Sequence, residues 1–455
     1  MFVFFLNPIF SQVPLSQFGS DVFVSNSPNT EVQSAISEDG LTQIIGSSLY
    51  PNGSGLGMAR IFKYTSGNWV QLGSDILGEV EGEEFGSEVA ISDDGLTVAI
   101  GAWKKTTASL GWGTGYVKVY TLVSGNWVQK GLSLFGTNVN GVFGKKICLS
   151  NDGNTIAVGS YNTNPQYGKI NVFNFASGNW LQYGSNTINN GIIENSIYSA
   201  TIKLDISANG NRLVTITASG GISIFDLISN QWTRTNNPIN LYNFGLDSLS
   251  ISGDGNTIIL GGDFSFFIYK DIGSSNWQYS YGENFSPIGN GVYVSTSYNG
   301  NVVVAYDYWN STVRLYQFSG NSWNYFANIQ PFQGFYGGID LSADGTKVST
   351  LSRTSTSNPY NHNRTLKVYN VSPFLSNQSN EIANFSVYPN PAKSEITIKL
   401  QEGFTLEKIN LYNPMGQKIF ESNNNILDIR SYSKGCYLLE VITDKTTTVK
   451  RVIFD

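Results

Sequence analysis

Val89-Ala90-Ile91-Ser92-Asp93-Asp94-Gly95-Leu96-Thr97-Val98-Ala99-Ile100 sets a short polar turn between two apolar runs. Asp-Gly between such runs is a strong hairpin signal, and a type I′ turn is the expected geometry because Asp and Gly both tolerate positive φ. The phrase Ser-x-Asp/Asn-Gly occurs seven times, opening at Ser37, Ser92, Ser150, Ser207, Ser252, Ser297 and Ser342, with its glycines 55, 58, 57, 45, 45 and 45 residues apart. A third run follows in each repeat, as in Val117-Lys118-Val119-Tyr120 or Ile170-Asn171-Val172-Phe173, with the period-2 alternation of a half-buried strand. A fourth starts near Trp69, Trp127, Trp180, Trp232, Trp277 and Trp323, usually after Ser-Gly-Asn. Each repeat therefore carries four strands.

Four antiparallel strands at a period of about 40–50 residues describe the blades of a β-propeller, and seven hairpins imply seven blades. The last repeat lacks its own fourth-strand tryptophan. Gln17-Phe18-Gly19-Ser20-Asp21 near the N-terminus repeats Gln71-Leu72-Gly73-Ser74-Asp75, which ends the first fourth strand. Residues near 14–20 are expected to supply the missing outer strand, so that the propeller spans residues 12–371. The composition agrees: 48 glycines, 13% aromatic residues and 13% charged residues suit turn-rich β structure. A net charge of −6 argues against nucleic-acid binding. The single histidine, His362, placed on a long polar loop, leaves no basis for a His-based triad or His-rich metal site. Cys148 reads as a buried small hydrophobe and Cys436 lies far from it in sequence, so no disulfide framework is expected. No cofactor, no metal centre and a monomer are expected.

Residues 372–384 read as a polar linker, and a second unit follows at 385–455. Strand signals at 395–400, 409–412, 418–420, 437–442 and 448–453 suggest a small Ig-like β-sandwich. The fold class is thus all-β, a seven-bladed propeller plus this sandwich. Residues 1–11 are apolar, too short to span a bilayer, and read as the remnant of a secretory signal peptide ending at Ser11; a buried first strand is the other reading.

Phe85-Gly86, the Ser92-Asp93-Asp94-Gly95 turn and Gly115-Tyr116-Val117-Lys118-Val119-Tyr120 together resemble the FG-GAP repeat of integrin-like propellers, and the Ser-x-Asp-Gly hairpin resembles WD40 blades. Over residues 12–371 this resemblance implies architecture, not activity. In the second unit, Val387-Tyr388-Pro389-Asn390-Pro391, Ile409-Asn410-Leu411-Tyr412-Asn413 with Gly416, and Gly435-Cys436-Tyr437-Leu438 resemble the type IX secretion system C-terminal sorting domain, type A. That resemblance implies export through the type IX machinery to the outside or the outer-membrane surface of a Gram-negative bacterium.

In a propeller the connections from second to third strand, and from one blade to the next, open on one face. The first three repeats lengthen those connections, at 47–56, 103–114 and 162–166. Loops inserted on a rigid scaffold carry function more often than the scaffold does. Tyr50, Trp103, Trp112, Tyr161, Tyr167, Tyr308 and Trp309 are accordingly the candidate ligand-binding aromatics, able to stack on sugar rings or anchor a protein. The fourth-strand tryptophans are read as scaffold. Glu79, Glu81, Glu83 and Glu84 are read as a solvated loop, with a hard-cation site as the other possibility. No catalytic residues are assigned. The leading reading is an exported, adhesin-like protein that binds an extracellular glycan or protein; the alternative is a glycan-active hydrolase or lyase working through carboxylates, with Asp307 and Asp340 near the ring interior.

Overall fold

A computed structural model describes residues 17–25, 32–51, 55–106, 111–163, 166–185, 188–192, 203–216, 221–235, 239–241, 244–246, 248–285, 291–307, 312–329, 335–355, 362–372, 385–389, 392–400, 403–413, 418–444 and 447–454. The chain divides into two compact units, Met1–Ser372 and Pro373–Asp455. Residues 1–11 and the linker at 373–384 lie outside the described residues.

Among the described residues the first unit holds seven antiparallel sheets, each a propeller blade, and in the first six the strands run in sequence order from inside to outside. Blade two is representative: Phe85–Ile91, Thr97–Ala102, Tyr116–Val123 and Asn126–Gln129, with Leu134–Phe135 extending the outer edge. Val98, Ile100, Val117 and Val119 are buried there against the neighbouring blades.

The hairpin tips differ from the type I′ expectation. Only the glycine of each tip has positive φ, as at Gly95 (φ 69), and its N–H donates to the serine carbonyl at 2.9 Å. The serine hydroxyl is the reason. Ser92 Oγ donates to Asp94 Oδ1 at 2.6 Å and accepts the Thr97 N–H at 2.9 Å, replacing the carbonyl that would close a tighter ladder. The same two bonds occur at the other tips, including Ser37 and Ser342. Paired left-handed residues appear instead in the third-to-fourth turns, as at Ser66 (φ 51) and Gly67 (φ 92) between the paired Thr65 and Asn68.

Main-chain hydrogen bonds pass from tip to tip around the whole ring. Glu38 donates to Asp93, Asp93 to Asn151, Asn151 to Ala208, Ala208 to Gly253, Asp254 to Tyr298, Tyr298 to Ala343, and Asp344 back to Glu38, at 2.8–3.3 Å. At the outer edge the tryptophans reach backward. Trp127 Nε1 donates to Leu72 O at 2.8 Å, Trp180 to Lys130 O at 2.7 Å and Trp232 to Tyr183 O at 2.8 Å, each acceptor belonging to the preceding blade. This explains the Trp-x-Gln-x-Gly phrase. Gly73 has φ +74, and a Cβ there would lie 2.8 Å from the Trp127 ring.

Blade seven consists of Phe335–Leu341, Lys347–Ser355, His362–Asn370 and, from the other end of the propeller, Val22–Ser25. Gln17 bridges Tyr369, and the Phe18 N–H donates to Val368 O at 2.7 Å. Val22 and Val24 are buried with Leu351 and Leu366, and Trp69 Nε1 donates to Phe18 O at 3.0 Å, so blade one grips this segment as blades two, three and four grip their predecessors. In blade six, by contrast, the Trp323 indole donates to the Ser280 hydroxyl at 3.0 Å. His362 starts a strand opposite Ser355 and is not in a loop.

The second unit packs a three-stranded sheet (Phe385–Tyr388, Glu395–Leu400, Ile426–Asp428) and a four-stranded sheet (Lys418–Ser422, Leu406–Tyr412, Gly435–Thr443, Thr447–Phe454) over one core that includes Phe385, Ile396, Ile409, Leu439 and Phe454. Phe385–Tyr388 and Ile426–Asp428 are additions to the strands expected from sequence. The first is short and the second has three residues, too few for alternation to be visible.

Deleting residues 12–24 removes the burial of Val22 and Val24, worth at least about 3 kcal/mol, and opens the ring. The melting temperature of the propeller, measured by calorimetry, is expected to fall by about 5 °C or more. Gly73→Ala is expected to destabilise by about 1–3 kcal/mol through its left-handed backbone and the clash with Trp127, read by urea denaturation.

Candidate functional site

The inner strands of the seven blades surround a cavity of about 540 Å³. At the end away from the hairpin tips, the residue seven before each turn glycine contributes to its wall: Gln33, Glu88, Lys146, Lys203, Ser248, Tyr293 and Gly338. This is the end onto which the lengthened second-to-third connections open. Trp103, directly after Thr97–Ala102, reaches the cavity wall.

Trp103 is 9% exposed, held between the ammonium groups of Lys104 and Lys145, each 4.8 Å from its ring. Trp112 meets it edge to face, with centroids 6.3 Å apart at 82°, and remains 42% exposed. Local backbone bonds hold this rim. Thr114 Oγ1 donates to Lys105 O at 3.0 Å, the Asn140 N–H to Trp112 O at 2.9 Å and the Val142 N–H to Gly113 O at 2.9 Å. Of the candidate aromatics, the structure brings these two together. Tyr50 sits in blade one, with the Arg60 guanidinium 6.0 Å from its ring, and does not line the cavity. Tyr161 and Tyr167 lie on paired strands of blade three, but their side chains, and the whole of Tyr308 and Trp309, are outside the described residues.

Charge in the channel is arranged in layers. Lys146 binds Glu88 at 2.5 Å; burial works against its charge, but the attraction of Glu88 outweighs that and raises the ammonium pKa. Deeper, Asp205 accepts N–H bonds from Ile251 of the next blade at 2.9 Å and from Ile206 at 2.8 Å. Asp340 accepts from Ile36 of blade one at 3.1 Å, from Leu341 at 2.9 Å and from the Ser295 hydroxyl at 2.9 Å. Burial raises both carboxyl groups, Asp340 to about 6, while these donors oppose the shift. Cys148 lines the same wall and donates its S–H to Leu204 O at 3.0 Å, with burial holding the thiol neutral. Asp307, paired with Arg314 at 3.5 Å, is buried elsewhere in blade six.

The acidic loop is only partly solvated: Glu79 and Glu81 are exposed. Glu83 and Glu84 are buried; Glu83 accepts from Tyr116 Oη at 2.6 Å and Lys105 at 2.9 Å, while Lys104 pairs with Glu84 and Lys118 with Glu79 at 2.5 Å. Lysines supplied by the next connection neutralise a run that sequence shows only as consecutive acids. The sequence also hid Lys145, Lys146, Lys203 and Asp205. Aligning the repeats on their turn glycines is the signal that exposes them, since it places Lys146 and Lys203 on the same channel position as Glu88.

At the hairpin end of the channel, Asp93 and Asn151 meet side chain to side chain. Burial, then the charge of Glu38 and a hydrogen bond with it, pushes the Asp93 carboxyl up to about 7. This end carries a carboxyl pair, whereas the other carries aromatics and lysines.

Residues 386–455 match the family model described as secretion system C-terminal sorting domain. The second unit therefore marks the chain for secretion by the type IX system, to the cell surface or the extracellular space. Among solved structures, the β-propeller domain of Cps50 (Swd1) from Myceliophteria thermophila is similar at 9% identity with a TM-score of 0.53, over 79% of this chain and all of that one. A chain of the mitotic checkpoint complex is similar at 14% identity and TM-score 0.49, over 82% and 99%. At 9% identity the first of these bears on the fold alone. No curated protein matches the chain. No helix among the described residues is long and apolar enough to cross a membrane.

Because the folded state raises the Asp93 pKa above its ordinary value of 3.8, charging this group costs stability as pH rises from about 4 to about 7, and the cost is constant above that. Asp93→Asn is expected to raise stability at pH 8 by about 1 kcal/mol, allowing for partial solvent exposure, with no difference near pH 4. Melting curves at the two pH values check this.

Proposed function

We propose that this is an exported, adhesin-like binding protein, whose propeller takes an extracellular glycan or protein at the loop-rich mouth of its channel while the C-terminal unit engages the type IX machinery. The observation that carries the reading is the Trp103–Trp112 pair. A buried indole braces an exposed one at the rim of a cavity whose size falls within the roughly 300–1,000 Å³ of small-ligand sites. Rigid, partly exposed aromatic side chains supply contact area at little entropic cost, which favours a recognition role over a packing one for Trp112.

A hydrolase or lyase acting through carboxylates is the competing reading, and Asp205 and Asp340 are its natural candidates because both line the cavity. Each, however, already accepts two main-chain N–H bonds, one of them from the neighbouring blade, and so serves to hold blades together. Glu88 is occupied by Lys146. These engagements support binding without turnover.

Trp112→Ala is expected to weaken ligand capture by about tenfold or more on a glycan array or in cell-adhesion assays, with the melting temperature changed little because the side chain is exposed. Undiminished capture would remove this rim from the site.

A further inference from the structure

The charged residues at the loop-rich mouth are unevenly distributed around the ring. Blades three and four place Lys145, Lys146 and Lys203 on the cavity wall, whereas blades five to seven place Ser248, Tyr293 and Gly338 at the corresponding position. Glu88 is the only acidic residue at that level and is held by Lys146; Asp205 and Asp340 lie two residues deeper on their strands, bound to backbone N–H groups. Among the described residues no carboxylate lies within ion-pair distance of the Lys145 ammonium, whose recorded neighbour is the ring of Trp103. A cation facing an aromatic and a cavity, with its side chain only partly exposed, is positioned to receive an anion.

A second observation concerns neutral groups. Ser34 and Ser87 are among the residues that line the same cavity, although their hydroxyl oxygens are themselves covered and have no hydrogen-bond partner among the described residues. With Gln33, Tyr293 and Ser295 also on the wall, the lining suits a polyhydroxylated ligand better than an apolar one.

We infer that the mouth takes an acidic sugar unit of an extracellular polysaccharide, its anionic group seated on Lys145 beside Lys146 and Lys203 and its ring lying against Trp112. This rests on the reading of the loop-rich face as the binding face and adds the chemical class of the ligand. The sugar ring uses the exposed indole face, the acid group uses the cation with no carboxylate beside it among the described residues, and the ring hydroxyls face the polar wall at Gln33 and Tyr293. An acidic peptide would satisfy the lysines but not the stacking platform.

The test uses the full chain and immobilised alginate and polygalacturonate (carboxylate), heparin (sulfate), dextran (neutral) and poly-glutamate (acidic peptide), read by biolayer interferometry. At least one acidic polysaccharide is expected to bind about tenfold or more tightly than dextran and poly-glutamate, and to weaken between 50 and 300 mM salt as screening grows. The carboxylate and sulfate arms identify which acid group is preferred. Lys145→Ala is expected to lose about tenfold and Lys145→Glu more, with Lys145→Arg retaining binding and all three melting like the parent. Poly-glutamate bound as tightly as the sugars, or acidic-sugar binding indifferent to Lys145→Glu, overturns the inference. Neutral-glycan binding that needs Trp112 but not Lys145 overturns it too, yet leaves the binding-protein reading standing; absence of binding to all five probes overturns the acidic-sugar inference, and if a glycan array and cell adhesion are also blank, the broader reading falls with it.

Discussion

Seven main-chain hydrogen bonds running from hairpin tip to hairpin tip, and closing on themselves between Asp344 and Glu38, are the constraint on which the propeller depends. A single four-stranded sheet has two faces to bury and cannot do so alone; stacked radially, each blade covers its neighbours. The circle at the inner edge fixes how far each blade turns from the last. The serine and the acidic or amide residue of each tip make this possible, because they satisfy the local N–H groups internally and leave the adjacent N–H and carbonyl free to bond sideways. At the periphery, in blades one to four, tryptophan indoles bond back to a main-chain carbonyl at the preceding outer edge, over a glycine that has no room for a side chain. The N-terminal segment carries this contact across the closure between the last blade and blade one.

With inner and outer edges fixed, one face is spare. The hairpin face is committed to the ring, and variation in loop length falls on the other. There the connection of blade two brings Trp103 to the channel wall, in contact with Trp112 and with the ammonium groups of Lys104 and Lys145. The channel's buried carboxylates are better understood as rivets than as catalytic acids: Asp205 and Asp340 sit at equivalent positions in their blades, and each reaches the backbone of the next. Burial makes such groups costly as anions, which is why both are shifted upward and both collect several donors. Lys146 between Glu88 and the deeper acids limits the repulsion that these carboxylates would otherwise exert on one another.

How much of this was legible from sequence follows from the range of each interaction. Blade number, the four strands per blade, the boundary near residue 372 and the sorting unit are all written in local patterns: a turn phrase, an alternation, a recurring tryptophan. The phrase Gln-x-Gly-Ser-Asp made an N-terminal contribution to the last blade visible, but the strand itself, Val22–Ser25, lies just beyond the expected 14–20, of which Gln17 and Phe18 also bond to blade seven. The type I′ expectation at the tips failed because hairpin statistics count Asp-Gly, whereas here the preceding serine hydroxyl competes for the N–H that would close the tight turn. The burial of Glu83 and Glu84 was illegible for a similar reason, since their lysines come from a connection twenty or more residues away.

Sequence by itself determined the architecture and the destination, because both are encoded by repetition or by a contiguous motif. It also supplied the two tryptophans of the rim, as aromatics in an irregular loop. Only the tertiary structure decided that Trp103 is buried and Trp112 exposed, and that Lys145 faces an indole with no carboxylate beside it among the described residues. These facts depend on residues from different blades meeting at one axis, and the distances across that axis are set by ring closure, a property of all seven repeats together that no single stretch of chain contains.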